Sequence, residues 1–114
     1  MNSEEIYGKV NFCVENEDYE GACDLSDRLN EEPWRSSAFK LLVDLFLSPR
    51  GVEKFGNDAF AHAYLLADNE IKDASIRAKI MMEISNLAAM HQNWEIYQKA
   101  ISHVAVCVFF AETI

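Results

Sequence analysis

Glycine and proline are scarce in this 114-residue chain, which holds four glycines and two prolines. Folds made of many short strands depend on these residues at their turns, so their scarcity favours helices. Basic residues are also few, because ten lysines and arginines stand against 19 aspartates and glutamates, for a formal net charge of −9. Nucleic-acid binding needs a positively charged surface to meet the phosphates, so this balance counts against direct contact with DNA or RNA.

Long hydrophobic runs and paired cysteines are missing as well. The longest apolar stretch, VAVCVFFA from Val104 to Ala111, falls well short of the roughly 18 to 20 residues of a membrane-spanning helix. The first residues, MNSEEIYGK, carry acids where a signal peptide carries bases and then an apolar run. Cys13, Cys23 and Cys107 have no CxxC or zinc-like spacing. We therefore expect a cytoplasmic protein without a membrane partner, whose thiols are reduced and bind no metal or cofactor.

The residues that are abundant are typical of one folded domain. Half of the chain is hydrophobic and a quarter is charged, which is the composition of a globular protein and not of a disordered segment. A chain of 114 residues suffices for one modest core and is too short to divide comfortably into two. We expect a single domain over residues 1–114.

Apolar side chains recur at helical spacing in six segments joined by short polar stretches, which predicts an all-α fold. The segments form three antiparallel helical hairpins, at about residues 3–31, 33–68 and 71–112. The first helix begins near Ser3, and the longest regular pattern runs from Ile76 to about His91. The helix that follows Pro33 is apolar over so much of its circumference that we place it at the centre.

Two places in the pattern leave alternatives open. Ser48 and Pro49 begin a stretch with two glycines, Gly51 and Gly56, which predicts a short turn of helix and a break near Gly56. Either Asn57 or Asp58 would then cap the next helix. The terminal VAVCVFF is rich in β-branched and aromatic residues and could form a buried strand, but helix is preferred because no second strand candidate exists to pair with it.

The last helix carries more apolar surface than one inward face needs. We expect a buried stripe formed by Trp94, Tyr97, Ile101, Val104, Ala105 and Val108. Other apolar side chains of this helix then remain uncovered, and an exposed apolar patch usually marks contact with a partner or a second subunit. The residues expected to contact a partner through apolar surface are Val106, Phe109 and Phe110 of this helix and Met82 and Met90 of the preceding one, although methionines at helical spacing are more often core residues. A homodimer through the C-terminal helix is a further expectation.

The negative charge is concentrated near the start of the chain. Residues 1–33 hold ten acidic and two basic residues, a net charge of −8, whereas the other 81 residues hold nine acidic and eight basic residues, a net charge of −1. An acidic face attracts a basic partner, although it also serves solubility. The acidic residues expected to contact a partner are Glu15, Glu17, Asp18, Glu20, Asp24 and Asp27.

The sequence carries no pattern that points to an enzyme. Serines occur without a GxSxG motif, and the chain has too few glycines for a phosphate-binding loop. Asp58 and His62 stand four residues apart and His91 stands near Glu95, but neither pair has further ligands at metal spacing. Cys23 lies next to Asp24 in a strongly acidic segment. The nearby negative charge disfavours the thiolate that a nucleophile requires. We therefore expect a non-catalytic protein.

The stretch NEDYEGACDLSDRLNEEP, with Tyr19, Ala22 and the closing Pro33, resembles the second half of a tetratricopeptide repeat. The stretch IMMEISNLAAMHQNWEIYQKAISHV resembles a whole repeat, with Ser85 as its small residue and Trp94 in the place of Tyr19. The resemblance implies a right-handed array of stacked hairpins that binds peptides or proteins and catalyses nothing. In size, acidity and helix number the chain is also similar in outline to the small type III secretion chaperones.

Two functions are therefore expected. The first is a protein-interaction module or small chaperone that holds a basic or amphipathic helical segment of a partner in an apolar groove. The alternative is an acidic inhibitor or immunity-type protein that blocks a basic site on a nuclease or another nucleic-acid-handling enzyme.

Overall fold

The computed structural model describes the backbone of residues 1–113 and the side chains of residues 1–106. All regular elements in this part of the chain are helical, which confirms the all-α prediction. The helices described there are α1 (Ser3–Glu15), α2 (Tyr19–Asp27), α3 (Trp34–Leu47), α4 (Pro49–Phe55), α5 (Asn57–Glu70), α6 (Ala74–Met90) and α7 (Trp94–Thr113).

Most of these helices begin where a short polar side chain accepts a hydrogen bond from the first turn. Asn2, and not Ser3, caps α1, since its Oδ1 accepts from the Glu5 amide at 2.9 Å. The prediction that Asn57 or Asp58 caps the next long helix is wrong. That helix, α5, begins at Asn57 itself after Gly56, whose φ of +60° makes the sharp break that the sequence predicted.

The helices pack in neighbouring pairs around α3. Helix α1 contacts α2, α3 contacts α5, and α6 contacts α7, while α3 also touches α1, α2, α4 and α6. Helix α3 buries eight of its 14 residues, which confirms its predicted central position. The Cα atoms extend over 39, 38 and 15 Å. The thinnest dimension accommodates two layers of helices, because packed helix axes lie about 8–10 Å apart.

The buried face of α7 differs from the predicted one. Ile96, Ala100 and Val104 are buried, whereas Trp94 and Ala105 of the predicted stripe are exposed. Val108 lies outside the described side chains. At about 100° per residue, the buried stripe is rotated by about a quarter turn from the predicted one. Ala100, at the centre of the buried stripe, is completely buried, whereas Trp94 at the start of α7 is 58% exposed.

Candidate partner-binding surfaces

The predicted apolar partner residues lie on two different faces of the molecule. Met82 and Met90 are exposed on α6, on the side opposite its buried residues Ile80 and Ile84. Val106 is exposed on α7 and lines a cleft toward α5. Phe109 and Phe110, predicted to belong to the same patch, lie outside the described side chains.

A groove runs between α5 and α7 and consists of two adjoining clefts that share Tyr64 and Lys99, with volumes of about 330 and 500 Å³. We call it the α5–α7 groove. Its lining includes Asp58, Ala61, Tyr64, Leu65, Ile96, Lys99, Ser102, His103 and Val106. Leu65 and Val106 are 53% and 54% exposed, so two large aliphatic side chains in this groove remain in contact with water.

Polar contacts hold the wall of the α5–α7 groove in place. The Arg77 Nε of α6 donates to His103 Nε2 at 3.1 Å, and the same guanidinium donates from Nη1 to the Ile71 carbonyl at 3.0 Å. Nε2 of His103 is therefore an acceptor, and its Nδ1 lies 3.5 Å from Asp68 Oδ1 of α5. These contacts tie α5, α6 and α7 together beside the groove.

The tyrosine shared by the two clefts is partly buried beside one acidic and one basic residue. Burial raises the pKa of Tyr64, the charge of Asp68 raises it further, and Lys99 acts in the opposite direction. Its hydroxyl therefore stays protonated and can serve a ligand as a hydrogen-bond donor or acceptor.

Sequence reasoning missed Leu65 and Ile96 as lining residues. The buried residues of α5 are Ala59, Phe60, Ala63 and Ala67. Leu65 lies between them in sequence but on another side of the helix. A large aliphatic residue away from a stripe made mainly of alanines is a usable signal of a second apolar face.

The six predicted acidic residues serve different purposes. Asp18 caps α2, since its Oδ1 accepts from the Gly21 amide at 2.9 Å. Glu17 pairs with Arg50 at 2.8 Å, and Asp27 pairs with Arg35 at 3.3 Å. Glu15, Glu20 and Asp24 are exposed. Two of the six acids are thus paired with bases from beyond residue 33, and their contact with a partner stays a prediction.

The thiols in the described region lie in this acidic part of the molecule. Cys13 and Cys23 are free. Burial raises the pKa of Cys23, and the charges of Asp24, Asp27 and Glu70 raise it further. Burial and Asp18 likewise raise the pKa of Cys13. Both thiols are thereby kept in the unreactive protonated form, as the sequence predicted for Cys23.

The histidines considered as metal ligands contact aromatic rings. His62 lies 5.3 Å from the Phe46 ring and 5.9 Å from the Phe55 ring, and His91 lies 5.3 Å from the Phe60 ring. Within the described residues, no group of three or more histidine, cysteine or acidic side chains is arranged to hold a metal ion.

Two carboxylates and one lysine meet between α3 and α6. Lys40 Nζ donates to Asp44 Oδ2 at 2.9 Å, and Glu83 of α6 lies against the same pair. Burial raises the pKa of Glu83 and the charge of Asp44 raises it further, while Lys40 acts in the opposite direction.

Replacing Glu83 by glutamine should stabilise the fold at neutral pH. A carboxyl group whose folded pKa is raised binds its proton more tightly in the native state, so stability declines as the pH rises from the ordinary value of 4.5 through the folded pKa. Because the side chain is partly exposed, we expect a gain of at most about 0.5 kcal/mol at pH 7 that vanishes near pH 4. Urea unfolding of Glu83→Gln at both pH values measures it, with Glu20→Gln as the control. An equal gain in stability at both pH values would show that the raised pKa of Glu83 is not its cause.

The described residues form an all-helical protein with a groove of mixed polar and apolar lining between α5 and α7, and the comparisons with known proteins add no relative. No protein-family model, no curated protein and no solved structure matches this chain. Among the helices of the described residues, none combines the length and apolar character needed to cross a membrane.

Proposed function

We propose that this chain is a non-catalytic protein-interaction module, acting as a small chaperone or adaptor, that holds a helical segment of a partner protein in the α5–α7 groove. The observation that carries the proposal is the exposure of Leu65 and Val106 in a groove between two helices. Grooves of this kind accept the apolar face of an amphipathic helix, whose anchors recur every three or four residues.

The proposal includes a finer description of the fold, as a short right-handed array of three antiparallel tetratricopeptide-like hairpins. Supporting it, α1 and α2, α3 and α5, and α6 and α7 are neighbours, and the first helix of each pair touches the first helix of the next. In such an array each hairpin buries its apolar face against its neighbour, and the exposed surfaces remain for binding. The short α4 would be an insertion within the middle hairpin.

The charges along the α5–α7 groove indicate the chemistry of the partner. Asp58 and Glu95 line the cleft formed by the first turns of α5 and α7, while Lys99 lies at the junction of the two clefts. Lys99 Nζ lies 3.4 Å from Glu95 Oε1, so its charge is partly balanced within the protein. A partner helix with two or three aliphatic anchors and one basic residue at the end near Asp58 would match this lining.

Photo-crosslinking tests the groove directly. A photoreactive side chain placed singly at positions 65 and 106 should yield an adduct with the same partner protein in the cells that produce this chain. Position 12 is the control, because Phe12 is as exposed as these residues but lies on α1. Leu65→Glu should abolish co-purification of that partner without changing the helical circular dichroism. An adduct from position 12 alone, or a partner unaffected by Leu65→Glu, would contradict the proposal.

The alternative inhibitor function rests on Glu15, Glu20 and Asp24, which are exposed on α1 and α2. Binding through them would be driven by charge and should weaken steeply as salt is raised, whereas binding through the apolar groove should not. A partner that is released near 0.5 M salt and is lost in Glu20→Lys but kept in Leu65→Glu would favour the inhibitor over the groove-binding module.

A further inference from the structure

One histidine of α7 lies between an arginine of α6 and an aspartate of α5. His103 Nε2 accepts a hydrogen bond from Arg77 Nε at 3.1 Å, while its Nδ1 lies 3.5 Å from Asp68 Oδ1. Because the Nε of an arginine always carries its hydrogen, this bond exists only while Nε2 carries none. The link between α6 and α7 at this point therefore depends on a neutral imidazole.

We propose that His103 is a pH-controlled switch, which ties α7 to Arg77 of α6 when it is neutral and to Asp68 of α5 when it is protonated. Histidine is the side chain that ordinarily changes charge between pH 5 and 8. Protonation puts a hydrogen on Nε2, so two positively charged donors then face each other and repel. On the other side of the ring, the carboxylate of Asp68 can accept from Nδ1 in a charge-assisted hydrogen bond.

A second contact holds the arginine in place, so the imidazole is the group that moves. Arg77 Nη1 donates to the carbonyl of Ile71 at 3.0 Å. Ile71 follows α5 directly and is completely buried. This bond does not involve His103 and is kept when the ring is protonated. A rotation of the imidazole from Arg77 toward Asp68 therefore relieves the repulsion without displacing the arginine.

The other titratable groups around His103 do not compete with these two partners. Tyr64 of α5 and Lys99 of α7 line the same cleft as His103. Burial raises the pKa of Tyr64, so its hydroxyl stays uncharged between pH 5 and 8. A lysine is positively charged throughout this range, so Lys99 cannot receive a protonated ring. Among the described residues that line this cleft or contact the ring, Asp68 is the acid that a protonated His103 meets.

The position of His103 in the wall of the α5–α7 groove exposes the ring to protons and couples its charge to the groove. Its side chain is 22% exposed and lines the cleft of about 500 Å³. A protonated His103 adds a second positive charge beside Lys99 and should weaken the binding of a basic partner segment. This consequence rests on the proposed function, whereas the exchange of contacts takes place within the chain and does not depend on it.

Nuclear magnetic resonance of the full chain labelled with ¹⁵N tests the switch between pH 8 and pH 5. At pH 8 the His103 ring should carry its hydrogen on Nδ1, and the Arg77 Nε hydrogen should exchange slowly with water. At pH 5 that exchange, corrected for its intrinsic pH dependence, should be about tenfold faster, with a midpoint that coincides with protonation of His103. Protonation of His103 with an unchanged Arg77 signal would overturn the proposal, and so would unfolding before the ring is protonated.

Two substitutions by glutamine separate His103 from a general effect of pH. The amide oxygen of a glutamine does not titrate and accepts a hydrogen bond at any pH. His103→Gln should therefore abolish the pH response of the Arg77 hydrogen. His62→Gln is the matched control, because His62 lies against the Phe46 and Phe55 rings, and it should leave the response as in the wild type. A response that survives His103→Gln, or is lost in His62→Gln, would contradict the assignment.

Asp68→Asn tests the second half of the exchange. The substitution removes the charge that receives the protonated ring, so His103 should need a proton concentration about threefold higher to become half protonated. The slow exchange of the Arg77 hydrogen at pH 8 should persist, because Asp68 takes no part in that bond. An unchanged titration of His103 would show that Asp68 does not receive the ring. Photo-crosslinking from positions 65 and 106 at pH 8 reports on the groove alone, so the switch and the proposed function can fail separately.

Discussion

Substituting alanine for Gly51 is expected to destabilise the protein by about 3 kcal/mol, at the upper end of the cost of overpacking a well-packed site. Gly51 lies in the first turn of α4, where the chain turns back against the end of α3. A Cβ at this position would stand 2.3 Å from the Phe46 carbonyl oxygen and 2.5 Å from that of Leu45. Both atoms belong to the backbone of α3, so the clash cannot be relieved by rotating a side chain.

The same substitution would also disturb the start of α4 and the aromatic side chains that α4 supplies. The Gly51 amide donates to Ser48 Oγ at 3.2 Å, which caps the helix. At the other end of α4, Phe55 lies 5.4 Å from the Phe46 ring and 5.1 Å from the Tyr19 ring. Moving α4 outward to admit a Cβ would separate these rings, which contribute to stability beyond their buried area.

Gly8→Ala provides the matched control, because it makes the same chemical change within a helix. Nothing lies within 4 Å of a Cβ at Gly8, which is exposed on α1. Alanine there should raise the unfolding free energy by about 0.5–1 kcal/mol, since it lowers the conformational entropy of the unfolded chain. Urea unfolding monitored by circular dichroism measures both variants. A Gly51→Ala protein as stable as the wild type would mean that α4 does not approach α3 this closely.

Gly51 illustrates what the sequence could and could not predict about α4. The Ser48–Pro49 pair and Gly56 are local signals, and they correctly predicted a short helix and a break. The reason for a glycine at position 51 is the approach of α3, which is a tertiary contact. Local rules treat such a glycine only as a helix breaker.

The two C-terminal helices show the same limit for hydrophobic patterns. In helix α6 apolar residues recur at three- and four-residue spacing along one stripe, so its extent and its buried Ile80, Ile84 and Ala88 could be predicted. In residues 94–106 of helix α7 the apolar side chains occupy a wide arc opposite a polar side that contains Lys99 and Ser102, and a wide arc does not fix where its buried centre lies. The predicted stripe included the large residues Trp94 and Tyr97, whereas the buried stripe is centred on Ala100, about a quarter turn away.

The candidate surfaces could be predicted only in part for the same reason. Methionines at helical spacing are more often core residues, so the sequence did not decide between burial and exposure for Met82 and Met90, which are exposed. The α5–α7 groove depends on the spacing between two helices whose segments are about 35 residues apart in sequence, and no local pattern sets that spacing. The pairing of Asp27 with Arg35 and of Glu17 with Arg50 joins residues that are distant in sequence, so no local pattern indicates it.

Replacing Arg35 by methionine should lower the unfolding free energy by about 3 kcal/mol, as expected when one member of a largely buried ion pair is removed. The Arg35 side chain is only 19% exposed, and its Nη2 contacts Glu70 Oε2 at 2.5 Å. Its Nη1 donates to the Leu29 carbonyl at 2.8 Å, and its guanidinium lies 5.0 Å from the Phe39 ring. One side chain thereby joins the segment after α2, the start of α3 and the end of α5.

Because of where its two carboxylate partners lie, Arg35 should contribute more to stability than one member of an ordinary ion pair does. Asp27 and Glu70 are the last residues of α2 and α5. The carboxyl end of a helix carries a partial negative charge, so an acid there is unfavourable unless a cation lies close to it. Burial would lower the pKa of Arg35, but its hydrogen bonds and charge contacts with Glu70 and Asp27 outweigh burial and raise that pKa. Arg35 therefore remains charged and stabilises both helix ends.

The comparison with Arg50→Met separates this contribution from a general loss of positive charge. Arg50 pairs with Glu17 at 2.8 Å, but its side chain is 77% exposed, so removing it should cost less than about 1 kcal/mol. The double variant Arg35→Met, Glu70→Gln should recover part of the lost stability, because it no longer leaves a partly buried carboxylate without its cation. Urea unfolding of the four proteins, including the wild type, gives these differences. Equal losses of stability for Arg35→Met and Arg50→Met would show that burial of the Arg35–Glu70 pair adds no stability. The larger contribution assigned to Arg35 would then be wrong.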